Sequence, residues 1–315
     1  MRKVNRVRGL KNKAGKLGVN KGLIAVIAVI AVATLSYFNL DPIYEYLGLS
    51  PKRTVAPPAE GTVQLHFIDV GQGDSTLILT PEKSVLIDSG ESPYAEAVIS
   101  YVKSLGVTKL DVVIATHPHA DHIGGMGKII TELKPSRLIM PDKPHDTNTF
   151  MRMLDAIEEF NVAAEYAVAG RRIELDNCFI EIIGPARDFD GSSALNNSSV
   201  VAKLVHGENR VLFTGDMEKA AEDDVLERKA DISSNVLHVS HHGSDSSSHR
   251  RFLEAVKRGN RGDMYAIISV GEGNSYNHPH DELLQRLSAM GFTILRTDER
   301  GTIVLESAET GLEVK

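Results

Sequence analysis

The sequence predicts an α/β protein in which two sheets pack face to face with helices on their outer sides, preceded by an N-terminal transmembrane helix. Three observations lead there. Apolar, β-branched runs such as Val85–Ile87, Leu110–Ala115 and Val236–Val239 have the composition and length of buried strands. Amphipathic stretches fall between many of these runs as helices, among them Tyr94–Leu105, with Ala97, Val98, Tyr101, Val102 and Leu105 at helical spacing. The alternation occurs in two parts of similar size, which suits two layered sheets better than one.

Taken in order, residues 1–21 are basic, spaced by Gly and Asn and without apolar period, as expected of a disordered cytoplasmic segment. Gly22 to Phe38 is an uncharged apolar run of 17 residues. As a helix rising about 1.5 Å per residue, it just spans a thin hydrocarbon core. Basic residues crowd the chain before the run, and the next one after Lys21 is Lys52. That asymmetry sets the N-terminus inside and everything after the run outside the cell membrane. The expectation is a retained single-pass anchor; cleavage at Ala31-Val32-Ala33, the alternative, would secrete the protein. Residues 39–61, with Pro42, Pro51, Pro57 and Pro58, read as a linker, and residues 62–315 as one hydrolase domain.

The chain has 35 Lys and Arg against 42 Asp and Glu, a net charge of −7. Eight of the cations lie in the first 21 residues, before any acid, so the remainder carries −15. A surface that acidic repels polyanions unless a basic groove is gathered locally. Lys203, Arg250, Arg251, Lys257, Arg258 and Arg261 could form one, or could be an ordinary solvated helix face and loop. The single cysteine, Cys178, excludes an intramolecular disulfide and a Cys-rich metal site.

Within the domain, Val63–Asp69 alternates like a strand, Gly71 and Gly73 mark a turn, and Thr76–Leu79 and Val85–Asp88 lead on. After 94–105 and 110–115 the pattern gives a helix from Ile123 to Leu133, a strand at 137–140, a helix at 149–160 and strands at 162–168 and 179–183. The second part reads as strands at 200–205 and 210–213, a helix at 218–228, and a strand at 236–239. A helix at 249–256, a strand at 264–270, a helix at 282–290 and strands at 293–296 and 302–305 complete it.

Chemistry concentrates at Thr116-His117-Pro118-His119-Ala120-Asp121-His122-Ile123-Gly124-Gly125. This is a loop where a strand ends and a helix begins, the usual place for a site in an open α/β layer. His117 and His119, two apart on an extended segment, leave it on the same side and can reach one cation. Asp121 and His122 enter the first helical turn and point towards a second. Two cations use all four side chains if the chain adds a bridging carboxylate and another histidine.

This stretch resembles the HxHxDH signature of the metallo-β-lactamase superfamily. The flanking Asp69-Val70-Gly71-Gln72-Gly73-Asp74-Ser75, Leu86-Ile87-Asp88-Ser89-Gly90, Phe213-Thr214-Gly215-Asp216, His241-His242-Gly243-Ser244 and His278-Pro279-His280 are similar to the hydrolase domain of ComEC-type DNA-uptake proteins. The resemblance covers about Val63 to Val304. It implies an αββα four-layer sandwich holding two divalent metal ions, Zn or Mn, at the sheets' shared edge. Its metal ligands correspond to His117, His119, Asp121 and His122, with Asp216 bridging the ions and one of the paired histidines completing the second. His241 lies nearer the strand end and is expected to be that ligand, leaving His242 and Ser244 to substrate or to the ligands' surroundings. Asp88 would support the ligand loop from behind. Asp69 and Asp74 either cap a turn or face substrate. Most of the superfamily has a further histidine ahead of the bridging acid; here stand Asn196 and Asn197. A weak amide-oxygen ligand or water would fill the gap, and the more oxygen-rich set lets Mn²⁺ compete better with Zn²⁺.

The implied function is a metal-dependent hydrolase, a phosphodiesterase or nuclease acting on DNA outside the membrane. The cations would activate water, Asp121 orient it, and His278 or His280 protonate the departing oxygen. Either of those histidines could instead cap the helix that follows. A phosphodiesterase or esterase for a small or cell-wall phosphoester such as phosphorylcholine is the alternative. His66, His145, His206, His238 and His249 are isolated in the sequence and read as structural or surface. With a single span, the chain would serve DNA uptake only beside a separate channel.

Overall fold

The computed structural model describes residues 57–260 and 262–315. The first sheet begins with Val63–Phe67 (β1), Thr76–Leu79 (β2), Ser84–Ile87 (β3), Val112–Ile114 (β4), Arg137–Met140 (β5) and Ala163–Tyr166 (β6). The second holds Arg172–Glu174 (β7), Phe179–Gly184 (β8), Val201–His206 (β9), Asn209–Phe213 (β10), Val236–His238 (β11), Tyr265–Ile268 (β12) and Thr293–Arg296 (β13). Ile303–Ser307 (β14) and Leu312–Val314 (β15) return to the first sheet, whose order is β15-β14-β1-β2-β3-β4-β5-β6; the second runs β13-β12-β11-β10-β9-β8-β7. Pairing is parallel from β3 to β6 and from β10 to β13, and antiparallel elsewhere.

Period-two alternation builds the layers. Val85 and Ile87 of β3 and Val112 and Ile114 of β4 meet Val211 and Phe213 of β10 and Ile267 of β12 in one cluster between the sheets. Their neighbours Leu86 and Val113 turn outward onto Ala95–Ser104 (α1), Met126–Leu133 (α3) and Asn148–Glu159 (α4). Leu212 and Leu237 turn outward onto Lys219–Glu227 (α6), Arg250–Lys257 (α7) and Asp281–Ala289 (α8). Each fully buried Leu, Ile or Phe on these faces contributes about 1.5–3 kcal/mol. The result is the expected αββα sandwich.

Several details differ from expectation. The helix foreseen at 123–133 starts earlier, as Ala120–Ile123 (α2), and is interrupted at Gly124-Gly125 before α3. There the backbone passes so close to its neighbours that a Cβ on Gly124 would lie 2.3 Å from the Ala120 carbonyl and 2.5 Å from the Ser92 nitrogen. Strands β7 and β15 were not foreseen, nor were the single turns Ala194–Asn197 (α5) and Thr297–Arg300 (α9). Nor are the two sheets the two halves of the sequence, because β14 pairs with β1.

Of the six cations that could line a basic groove, Lys203 does not reach the surface. Lys203 is buried, its ammonium donating to the Asp231 carbonyl and, at 3.0 Å, to the Asp231 carboxylate. Arg250 pairs with Glu254 at 2.9 Å, and Arg261 lies outside the described residues. The expected membrane-spanning segment Gly22–Phe38 and the basic segment before it also lie outside them. Among the described residues, no helix is long and apolar enough to cross a membrane.

Candidate metal centre

The ligand loop leaves the carboxyl end of β4, and a buried acid at the end of β3 shapes it. Asp88 accepts from the Thr116 backbone nitrogen at 2.8 Å, the Thr116 hydroxyl at 2.6 Å and His122 Nδ1 at 2.8 Å. Its support of the loop from behind is therefore visible in the geometry. With Nδ1 so engaged, His122 turns Nε2 towards Asp216 Oδ1, 3.1 Å away. His117 Nε2 and His119 Nδ1 converge to 2.9 Å, and His117 Nε2 is 3.6 Å from Asp216 Oδ2.

Asp216 follows β10 through Gly215, whose φ of 49° turns the chain into the site. Its two oxygens face two different groups. On the Oδ1 side stand Asp121, His122 and His242; on the Oδ2 side stand His117 and His119. Within each group the candidate ligand atoms all lie within 4.8 Å of one another. His241, expected in the first of these groups, is not in it. His242 stands there instead, with Nε2 3.2 Å from Asp121 Oδ2 and 3.7 Å from Asp216 Oδ1, and with Nδ1 donating to the Ser269 carbonyl at 2.9 Å. His241 lies on the other side, Nε2 3.8 Å from Asp216 Oδ2 and Nδ1 3.2 Å from Ser246 Oγ and 3.7 Å from Glu218 Oε1.

These residues fit a pair of divalent cations. His122 Nε2 and Asp216 Oδ1 are buried and have no hydrogen-bond partner, an arrangement that is costly unless something else binds them. Nitrogen and carboxylate oxygen with no thiolate suit Zn²⁺ or Mn²⁺. Electrostatics agree. Burial presses Asp216 towards its neutral form, yet His122, His242 and His117 outweigh it and hold the carboxyl well below its ordinary range. Burial likewise opposes charge on His122, but Asp216, Asp121 and Asp88 raise it well above the usual imidazole value; His242 is raised by Asp216, Asp121 and Asp74 against the same burial. The carboxylates thus draw protons onto histidines that a cation would strip of them. His117 and His119 are pushed down, chiefly by burial, and keep their lone pairs free.

The other foreseen residues divide. Asp74 is buried with Oδ1 3.3 Å from His242 Nδ1 and 3.8 Å from His238 Nε2, so it faces ligand histidines, and His238 is not the isolated side chain it looks in sequence. Asp69 accepts from the Gly71 nitrogen at 3.0 Å and caps the turn. Asn197 Oδ1 accepts from the Glu218 and Ala221 nitrogens, at 3.1 and 3.0 Å, which makes it a cap for α6 and turns it away from ligand duty. Asn196 donates to Glu218 Oε1 at 2.7 Å, while its own buried Oδ1 has no partner. Ser244 bonds Ser246 at 3.0 Å. His280 Nδ1 accepts from the Asp245 nitrogen at 3.0 Å at the start of α8 and is not part of the cleft wall. His278 is: it lines a cleft of about 350 Å³ together with His119, Asp121, Asp216, His241 and His242. Burial and then the nearby His241 push its pKa down to about 4, so it is neutral at pH 7.

Gln72, Tyr276 and Glu218 were missed. Gln72 and Tyr276 also line the cleft, and Gln72 accepts from the Gly271 nitrogen at 3.2 Å. Only Gln72 carried a signal, sitting between two glycines. Gly73 must be glycine, with φ at 146° and a Cβ that would lie 2.3 Å from the Asp121 carbonyl; that closeness brings the turn against the ligand loop.

Comparison with known proteins gives a consistent set of likenesses. A family model described as the metallo-beta-lactamase superfamily matches residues 68–261. ComE operon protein 3 of Bacillus subtilis (strain 168) is 33% identical over 267 residues, which are 78% of this chain and 33% of that protein. Competence protein ComA of Neisseria gonorrhoeae is 30% identical over 302 residues, 93% of this chain and 39% of its own length. The chain thus spans between a third and two fifths of these relatives. Among solved structures, the metallo-beta-lactamase fold protein YhfI from Bacillus subtilis aligns with a TM-score of 0.49 and 14% identity, over 79% of this chain and 100% of that one.

Proposed function

Because the chain belongs to the metallo-β-lactamase superfamily of metal-dependent hydrolases, in its ComEC-like branch, we propose that it hydrolyses phosphodiester bonds of DNA at the site around Asp216. The observation that carries this reading is the division of the Asp216 carboxylate between two ligand groups. His117, His119 and Asp216 would hold one divalent cation, and Asp121, His122, His242 and the same Asp216 the other. When bound, such a pair supplies Lewis acidity and a lowered pKa for water. Asp121, reaching the cleft, would orient the attacking water. His241 and His278 stand on the cleft wall, where an imidazole N–H can be offered to a phosphoryl oxygen. The proton given up by the attacking water would pass to the departing oxygen, to which His278, neutral at pH 7, offers a hydrogen bond.

The residues ahead of the bridging acid favour phosphodiester over β-lactam chemistry. No histidine stands there, Asn197 is spent on capping α6, and Asn196, bonded to Glu218 through its nitrogen, has just its Oδ1 left as a weak ligand, so the first cation would keep room for a substrate oxygen. The likeness to competence proteins supports DNA as the substrate; the reading adds a domain outside the membrane, anchored by the segment 22–38, with a separate channel as partner. One feature favours a small phosphoester such as phosphorylcholine instead: no lysine or arginine is among the described residues that line the cleft.

The test uses the full chain loaded with Mn²⁺ or Zn²⁺ and offered fluorescent DNA and bis-p-nitrophenyl phosphate. Cleavage of both is expected, with both lost in His119→Ala and Asp216→Ala. Cleavage of the small ester alone ends the DNA reading.

A further inference from the structure

Among the described residues that line the cleft, Tyr276 is the only Phe, Tyr or Trp, and it is 61% exposed. Its ring lies over His278, with centroids 5.7 Å apart and planes inclined by 27°. The loop beneath is tightly bound. Asn274 Oδ1 accepts from the Tyr276 and His278 nitrogens at 3.1 and 3.0 Å, and Asn274 Nδ2 donates to the His278 and Gly271 carbonyls at 2.6 and 3.0 Å. The outward ring is thus set by a fixed loop, with His278 against one face.

Charge makes this ring more telling. Lysine and arginine, the usual source of affinity for a nucleic-acid backbone, are absent from the cleft wall among the described residues. Base stacking on an aromatic ring is the other general source, and it needs an unpaired base. We propose that Tyr276 is the platform on which a nucleobase next to the scissile phosphate stacks, so that the site takes unpaired nucleotides in preference to duplex or to base-free phosphoesters. This inference rests on the phosphodiesterase reading of the same cleft.

The chain contains no tryptophan, so Tyr276→Trp places a single fluorescent reporter at the platform. Added to the full Mn²⁺-loaded chain, a phosphorothioate hexathymidylate is expected to quench that fluorescence, and its abasic counterpart to leave it unchanged. In cleavage assays Tyr276→Ala should raise KM for hexathymidylate about tenfold or more, with kcat changed far less, and Tyr276→Phe should restore it. Equal quenching by the abasic oligomer, or by phosphorylcholine, overturns the platform. Hexathymidylate cleaved with unchanged KM in Tyr276→Ala overturns it while leaving the hydrolase reading intact. A chain that cleaves bis-p-nitrophenyl phosphate but no oligonucleotide removes both together.

Discussion

His241 and His242 are adjacent, and both have left-handed backbones, at φ 54° and 52°. In that conformation, uncommon for residues other than glycine, chain position no longer tells which ring points inward. The sequence showed that a histidine at this strand end belongs to the site; which one depends on a backbone torsion it does not display. The exposures differ accordingly, 25% for the His241 side chain and 2% for His242. His242→Ala should therefore lower bound metal from two ions per chain towards one in elemental analysis, whereas His241→Ala keeps both; the reverse result would restore His241 as the ligand. A second residue acts on stability alone. His66 is fully buried, Nδ1 2.8 Å from the Tyr101 hydroxyl and Nε2 without a partner, and burial lowers its pKa to about 4. The unfolded chain takes up this proton near pH 6.5 and the folded chain does not until about pH 4, so stability falls as pH drops between those values. The loss is about 3 kcal/mol at most. Urea unfolding at pH 7 and 4.5 should show a smaller loss for His66→Phe than for the parent; equal losses would clear His66 of the effect.

At the scale of elements, what was legible follows from period. Strands such as β3, β4 and β10 alternate between two clusters, and α1 and α4 keep an apolar stripe, so both could be read from residue order. Strands β7 and β15 have three residues each, with one buried position between them, Ile173, and only pairing with β8 and β14 makes them strands. Asn196 or Asn197 was read as a weak metal ligand, with water as the alternative, because a ligand histidine stands there in most of the family; Asn197 Oδ1 does other work. In the fold that carboxamide binds the start of α6 from a neighbouring turn. Asn197→Ala should cost about 1 kcal/mol, as other caps do, lowering Tm by a few degrees with metal content unchanged. Loss of an ion from that variant would return Asn197 to the ligand set.

For the whole molecule, the site joins loops of both sheets: Asp88 and His117 to Asp121 come from the first, Asp216 and His242 from the second. A cation held between them binds the folded state alone, so loading should raise stability by about 2.7 kcal/mol at a hundredfold excess over Kd. Thermal unfolding with saturating Mn²⁺ against EDTA should differ by roughly 5–10 °C; an unchanged Tm would mean the two sheets share no ion. The charge balance of the sequence was legible, but its distribution was not, since Lys203 spends its charge inside the fold.

Strand β1 finds β14 as one of its two neighbours, and Gln64 reaches Glu306 across 242 residues of chain. Val63, Leu65 and Phe67 thus lack one flanking strand until the chain has grown past β14, a topology that slows closure.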